Sequence, residues 1–230
     1  MRVLADNKAL GSTISALHTD LNYPESNLKH EWLKKIWRST ANSDTLTFLF
    51  SSDQEIDCIY VGFTNATAIT ARMYSVTDTL LSTKVILAST NGTAFTTVSG
   101  VRYIEIALAA SSPVVMGNVG TGKTYTMPDP MNGVVKGFAD NTKVMVSDDG
   151  QVLMNKKNWL RSVPLKFTVI DLDQYNTIYA LLADIDRPIW VDVYEETKNF
   201  INPIYGVVTM GKPSQSWKKW VFNIDVLEAR

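Results

Sequence analysis

Arg102-Tyr103-Ile104-Glu105-Ile106-Ala107-Leu108 alternates residue by residue, with Ile104, Ile106 and Leu108 on one face and Glu105 on the other. A period of two is the mark of a β-strand with one face buried. Working outward, Thr45-Leu46-Thr47-Phe48-Leu49-Phe50 repeats the pattern, with Leu46, Phe48 and Phe50 sharing a face. Between the two lie apolar runs at 56–63, 68–76 and 84–88. They are separated by turn formers at Ser51-Ser52-Asp53, Thr64-Asn65, Asn91-Gly92 and Ser99-Gly100. Pro113 opens a last short run, Val114-Val115-Met116. Short strands with regular turns and no strong helix between them predict an antiparallel β-sandwich over residues 28–117.

Residues 1–27 read as an extended arm, with turn chemistry at Asn22-Tyr23-Pro24-Glu25-Ser26-Asn27. The run 30–39, with Trp32 and Ile36 at helical spacing, fits either a helical turn or a short strand. Residues 118–133 hold Gly120, Gly122, Pro128, Pro130 and Gly133 and read as a Gly/Pro-rich linker. A second β domain is predicted over 134–230. It opens with a hairpin turning at Asp148-Asp149-Gly150 and continues in a strand at 165–170. Asp171 then caps a helix, 171–184, whose Leu172, Tyr175, Ile178, Tyr179 and Leu182 recur on one face. Strands follow at 189–194 and 204–210. The last, 220–227, puts Trp220, Phe222, Ile224 and Val226 on one face and Asn223 and Asp225 on the other. The fold class is mostly β: an N-terminal jelly-roll sandwich and a C-terminal sandwich or barrel carrying one helix.

The chain has 230 residues and a formal charge of −1, which supplies no global basic field for nucleic acid. The lone Cys58 sits in an apolar run and reads as a buried, inert thiol in a reducing compartment. The first residues lack the apolar core of a signal peptide, and no stretch reaches the roughly 18 apolar residues of a spanning helix. His18 and His30 have no second ligand at metal spacing. Asp140, Asp148 and Asp149 sit at turns, where Asp is expected without calcium. Trp32, Trp37, Trp190 and Tyr60 have the chemistry to stack on a sugar ring, although strand aromatics commonly serve the core. No residue is assigned a catalytic, cofactor-binding or metal-binding role, no cofactor is expected, and the chain does not read as an enzyme.

One motif imitates chemistry. Gly117-Asn118-Val119-Gly120-Thr121-Gly122-Lys123-Thr124 matches a phosphate-binding loop letter for letter, and Phe167-Thr168-Val169-Ile170-Asp171 imitates a strand ending in a magnesium-binding Asp. Such a loop holds phosphate because it leads straight into a helix. Here Pro128 and Pro130 follow within six residues of Thr124, which forbids that helix. Asp171 is accounted for as a helix cap.

Tyr23-Pro24-Glu25-Ser26-Asn27-Leu28, Trp37-Arg38-Ser39, Thr45-Leu46-Thr47-Phe48 and the run from Cys58 to Asn65 together resemble the galactose-binding-like jelly roll of tailed-phage virion proteins. Arg102 to Leu108 fits that family's later strand, and Val115-Met116-Gly117-Asn118 sits where a short strand ends in glycine. The second half is similar to the C-terminal part of the same proteins, through a strand entering the 171–182 helix, then Pro188-Ile189-Trp190-Val191, Tyr205-Gly206-Val207-Val208 and an acidic terminal strand. The resemblance covers roughly residues 23–230. It implies a structural protein of the virion, a distal-tail or tail-tip (baseplate) adaptor made in the bacterial cytoplasm. Its implied partners are further copies in a homo-oligomeric ring and the tail-tube and hub proteins, with neither nucleic acid nor a membrane span. The arm 1–27, the loop 195–202 and the terminal strand are the expected contact segments. The alternative is a carbohydrate-binding module that contacts host-surface glycan.

Overall fold

The computed structural model describes residues 1–30, 35–86, 91–128, 130, 137–139, 143–146, 152–155, 160–183, 185, 187–192, 203–216 and 219–229; of 137–139, 143–146, 152–155, 160, 161 and 216 it describes the backbone. The chain is mostly β and divides into two units. The first comprises residues 1–127 and 187–205, the second 128–186 and 206–230.

In chain order the first unit holds strand β1 (Arg2–Leu4), a short helix α1 (Lys8–Gly11), β2 (Thr13–Ala16) and a 3-10 turn (Glu25–Lys29). Then come β3 (Trp37–Arg38), β4 (Ser43–Gly62), β5 (Ala68–Tyr74), β6 (Leu80–Ile86) and β7 (Asn91–Ala109). β8 (Val115–Met116), β9 (Asn118–Gly122) and β10 (Tyr125–Thr126) close this stretch. The second unit holds β11 (Gly137–Ala139), β12 (Lys143–Val146), β13 (Val152–Asn155), β14 (Leu160–Val169) and helix α2 (Leu172–Ala183). The chain returns to the first unit with β15 (Ile189–Asp192) and continues through β16 (Ile204–Met210), β17 (Ser214–Ser216) and β18 (Lys219–Glu228).

The framework of the first unit is the long antiparallel ribbon of β4 and β7. Five strands run in the order β2-β4-β7-β5-β6, and β9 joins the far half of β4. Where the sequence predicts turns at Ser51-Ser52-Asp53 and Ser99-Gly100, the strands do not end. They slip register between Leu49 and Cys58, and Gly100 takes φ 73°. Bulges of this kind bend a strand without breaking it. Asn91 and Gly92, also read as a turn, are the first residues of β7. Both halves of the bent ribbon feed one core: Leu46, Phe48 and Phe50 from the near half of β4, and Ile56, Ile59 and Val61 from the far half. Ile104, Ile106 and Leu108 point into it as their alternation predicts. At about 25 cal/mol per Å² of apolar surface, each such side chain contributes roughly 1.5–3 kcal/mol by burial.

From Cys58 onward the far half of β4 is buried on both faces, which explains the apolar run that follows Asp57. Its second face, Cys58 and Tyr60, is covered by Trp190 and Leu4 of the sheet β10-β1-β15. The extended arm is therefore corrected. β1 pairs with β10 and β15, β2 pairs with β4, and Val3 and Leu4 are buried. The partners of β1 lie more than a hundred residues away, so no local pattern announces them. The linker boundary also moves: residues 118–122 are a fully buried strand, and Thr126 pairs with Arg2. Residues 129 and 131–133 of that stretch lie outside the described residues.

In the second unit β18 pairs with β14 on one side and with β16 and β17 on the other. The terminal strand is thus central, with its backbone groups already paired, and it offers no free edge to a neighbouring copy. Phe222, Ile224 and Val226 are buried and Asn223 and Asp225 exposed, as the alternation predicts. α2 begins after Asp171, whose carboxylate accepts from the Asp173 N–H at 2.9 Å. Ile178 and Leu182 are buried and Tyr175 packs at a tilt against Trp220 and Phe222, whereas Leu172 and Tyr179 of the predicted face are exposed. β12 and β13 form the predicted hairpin. Its turn, Asp148-Asp149-Gly150, lies outside the described residues, as do Asp140, Trp32 and the 195–202 loop.

Candidate functional site

The phosphate-loop look-alike is strand and packing. β9 pairs with β4 from Cys58↔Gly122 to Gly62↔Asn118. The Thr121 N–H donates to Asn7 Oδ1 at 3.0 Å, and the Thr124 N–H to Asp57 at 2.8 Å. Lys123 reaches Glu55 at 3.0 Å on the surface, and β10 follows in place of a helix. Backbone donors that would cradle phosphate are thus committed within the fold. The glycines have a steric reason: a Cβ on Gly120 would strike the Trp190 indole, and one on Gly62 would lie 2.5 Å from Trp190 Cη2. On Gly122, at φ 149°, a Cβ would lie 2.7 Å from the Asp6 carbonyl oxygen. Trp190 Nε1 donates to Asn118 Oδ1 at 3.1 Å, which fixes the indole in the slot.

A cavity of about 430 Å³ opens on the first unit, where the outward ends of β4, β5 and β7 meet the segment after β2. Ala68, Ala107 and Ala109 contribute small side chains, and Ser43, Thr45 and Thr70 add hydroxyls. Leu17 and His18 form one wall. Asp44 holds that wall in place. Its carboxylate has no exposed side-chain surface and accepts from the N–H groups of Leu17 (3.2 Å), His18 (3.1 Å) and Thr45 (2.8 Å) and from Ser39 Oγ (2.7 Å). A buried carboxylate is tolerated only when its lone pairs are satisfied in this way. His18 Nδ1 lies 3.7 Å from Asp44 Oδ1, and the His18 side chain is 47% exposed. That separation is longer than a hydrogen bond, so Asp44 fixes the backbone that carries His18, while the imidazole itself stands at the cavity wall.

The aromatics singled out from sequence are elsewhere. Trp37, Trp190 and Tyr60 are buried core residues, which removes them as sugar platforms. The second histidine, His30, has its Nε2 3.0 Å from Lys35 Nζ at the surface. Among the described residues no group of three His, Cys, Asp or Glu side chains is placed to hold a metal ion. Burial, first, and the neighbouring Asp57 push the Cys58 thiol well above its ordinary value, as an inert core cysteine requires.

Two features of the first unit escaped the sequence reading. One is the His18–Asp44 pair, joined across 26 residues. The other is a pair of tyrosines on the outward face of β5 and β7: Tyr74 and Tyr103 stack with centroids 4.7 Å apart and planes within 12°. The neighbouring carboxylates, Glu105 beside Tyr74 and Asp78 beside Tyr103, add to desolvation in raising the two hydroxyls above their ordinary value. Tyr103 was open to discovery, because in Arg102 to Leu108 it falls on the Glu105 face.

No protein-family profile and no curated protein sequence matches this chain. Among solved structures it is similar to the Streptococcus pneumoniae fucose-binding module SpX-3, at 15% identity and TM-score 0.45, over 54% of this chain and 99% of that one. A mutant lectin binding domain of Lectinolysin complexed with Lewis b matches at 10% identity and TM-score 0.46, over 54% and 99%. The structure of SpGH29 matches at 13% identity and TM-score 0.46, over 53% of this chain, which spans only 28% of that longer protein. With identities this low and TM-scores below 0.5, the description of the fold rests on the strand pairing itself.

Proposed function

We propose that this chain is a glycan-binding module, with the sugar seated in the Asp44-braced cavity of its first unit. The observation that carries the reading is the His18–Asp44 arrangement on the wall of that cavity. A half-exposed imidazole, on a backbone held by a buried and fully bonded carboxylate, stands beside alanine side chains and a set of Ser and Thr hydroxyls. A sugar ring presents hydroxyl edges and apolar C–H faces, and this lining offers partners for both. The volume lies in the range of small-ligand sites, and the site is built on strands. The test is a glycan array on the whole chain, followed by calorimetric titration of any hit, with fucose, Lewis b and chitosan oligomers among the probes. His18→Ala is expected to abolish binding while leaving the fold intact. An array without a single specific hit overturns the reading.

The order of motifs along residues 23–230 supports a second reading, a distal-tail or tail-tip adaptor of a phage virion that assembles as a ring. A glycan-binding module carried on a tail satisfies both readings. With β18 central in its sheet, ring contacts on this reading come from other surfaces. Electron microscopy of the purified chain and of an intact tail tests it, and isolated copies without contacts between subunits would end it.

A further inference from the structure

We infer that the ligand is a chain of linked sugars laid along the outward face of the first unit's sheet, from the His18 cavity to the Tyr74–Tyr103 pair, and not a single terminal sugar; this rests on the glycan reading above. Strand register carries the argument. Leu49, Tyr103 and Tyr74 form one outward row across β4, β7 and β5. Thr47, Glu105 and Arg72 form the next, and Thr45, Ala107 and Thr70 the third. The third row lines the cavity. Tyr103 and Ala107 are four residues apart on one strand, so at 3.3 Å per residue the tyrosines stand about 13 Å from the cavity, beyond the reach of one sugar ring.

The chemistry of the three rows suits a neutral, hydroxyl-bearing chain. At the far end the two tyrosines stack on each other across β5 and β7, which presents an aromatic surface to C–H faces. In the middle row the Arg72 and Glu105 charges sit directly opposite each other and cancel, beside the Thr47 hydroxyl. The third row carries Thr45 and Thr70 around Ala107. The track is therefore polar without net charge and ends in aromatics, whereas the cavity alone would serve one ring.

The test titrates the whole chain with N-acetylglucosamine and its β-1,4-linked trimer and pentamer, and with the matching glucose and galactose series. Affinity is expected to rise at least tenfold from monomer to pentamer in the series that binds. Tyr103→Ala should erase that gain and leave monomer affinity unchanged, whereas His18→Ala should lose both. Thr47→Arg sets a long side chain across the track without touching the core, and it should act as Tyr103→Ala does even if the tyrosine variant folds poorly. Equal affinity for monomer and pentamer in the unaltered chain overturns this inference and leaves the glycan reading standing. Failure of every series to bind overturns this inference, and together with an array without a specific hit it overturns both. Self-association that Thr47→Arg abolishes, without any glycan effect, assigns the face to a protein partner and also overturns it.

Discussion

Trp190 lies flat on Tyr60, with ring centroids 5.1 Å apart and planes within 7°. The indole rests against Gly62 and Gly120, which supply no side chain because none fits. Gly120→Ala is expected to destabilise the chain by about 2–3 kcal/mol, the range of an overpacked core. Urea unfolding followed by tryptophan fluorescence measures it. A variant as stable as the parent would show that the slot has room to spare.

Lys123→Ala is expected to leave the unfolding midpoint unchanged, because the side chain is exposed and its ion pair with Glu55 is screened by solvent. Neither parent nor variant should bind ATP or GTP in calorimetry. Saturable nucleotide binding lost in the variant would reverse the structural account of 117–124.

Asp44→Ala should cost about 2–4 kcal/mol, because three backbone N–H groups and the Ser39 hydroxyl lose their acceptor together. His18→Ala should cost far less, since the ring is half exposed. Thermal melts of the two variants separate the brace from the group it supports. Comparable losses would mean that His18 is itself structural.

Alkaline pH should unfold the chain through its core. Burial raises the Cys58 thiol and the Tyr60 hydroxyl well above their ordinary values of 9.0 and 10.0. In both cases the folded state favours the neutral form. Their stabilisation is complete below the unfolded values and is lost as pH rises past them toward the folded ones. Melting temperature should therefore fall as pH rises past about 9, less steeply in Cys58→Ala. A flat profile would refute the assignment. Thiol reagents should modify Cys58 only in denaturant.

Alternation was legible wherever one face of a strand meets the core and the other meets water, as in Arg102 to Leu108 and in β18. Asp171 as the start of α2 was legible because a cap acts within one turn. The long ribbon was read as separate strands because Ser51-Ser52-Asp53 and Ser99-Gly100 have the same composition in a bulge as in a turn. Gly120 and Gly122 suggested a linker because glycine marks close packing and chain flexibility alike, and only the position of Trp190 decides between them. The His18 cavity was invisible for a related reason: of its two key residues one follows β2 and the other lies in β4, and neither sits in a motif.

Strand β1 lies between β10 and β15, so the first residues of the chain are held by residues near its far end. During synthesis Val3 and Leu4 leave the ribosome without their second partner, and at 5–20 residues per second they wait roughly 10–40 s for it. Until then the slot over Tyr60, Gly62 and Gly120 stands open and apolar. Closing it joins segments at the largest sequence separation in the unit, a slow kind of step. A ribosome stalled with residue 186 just outside the exit tunnel should thus carry a jelly roll that binds hydrophobic dye and recruits chaperones, and emergence of a few more residues should end both.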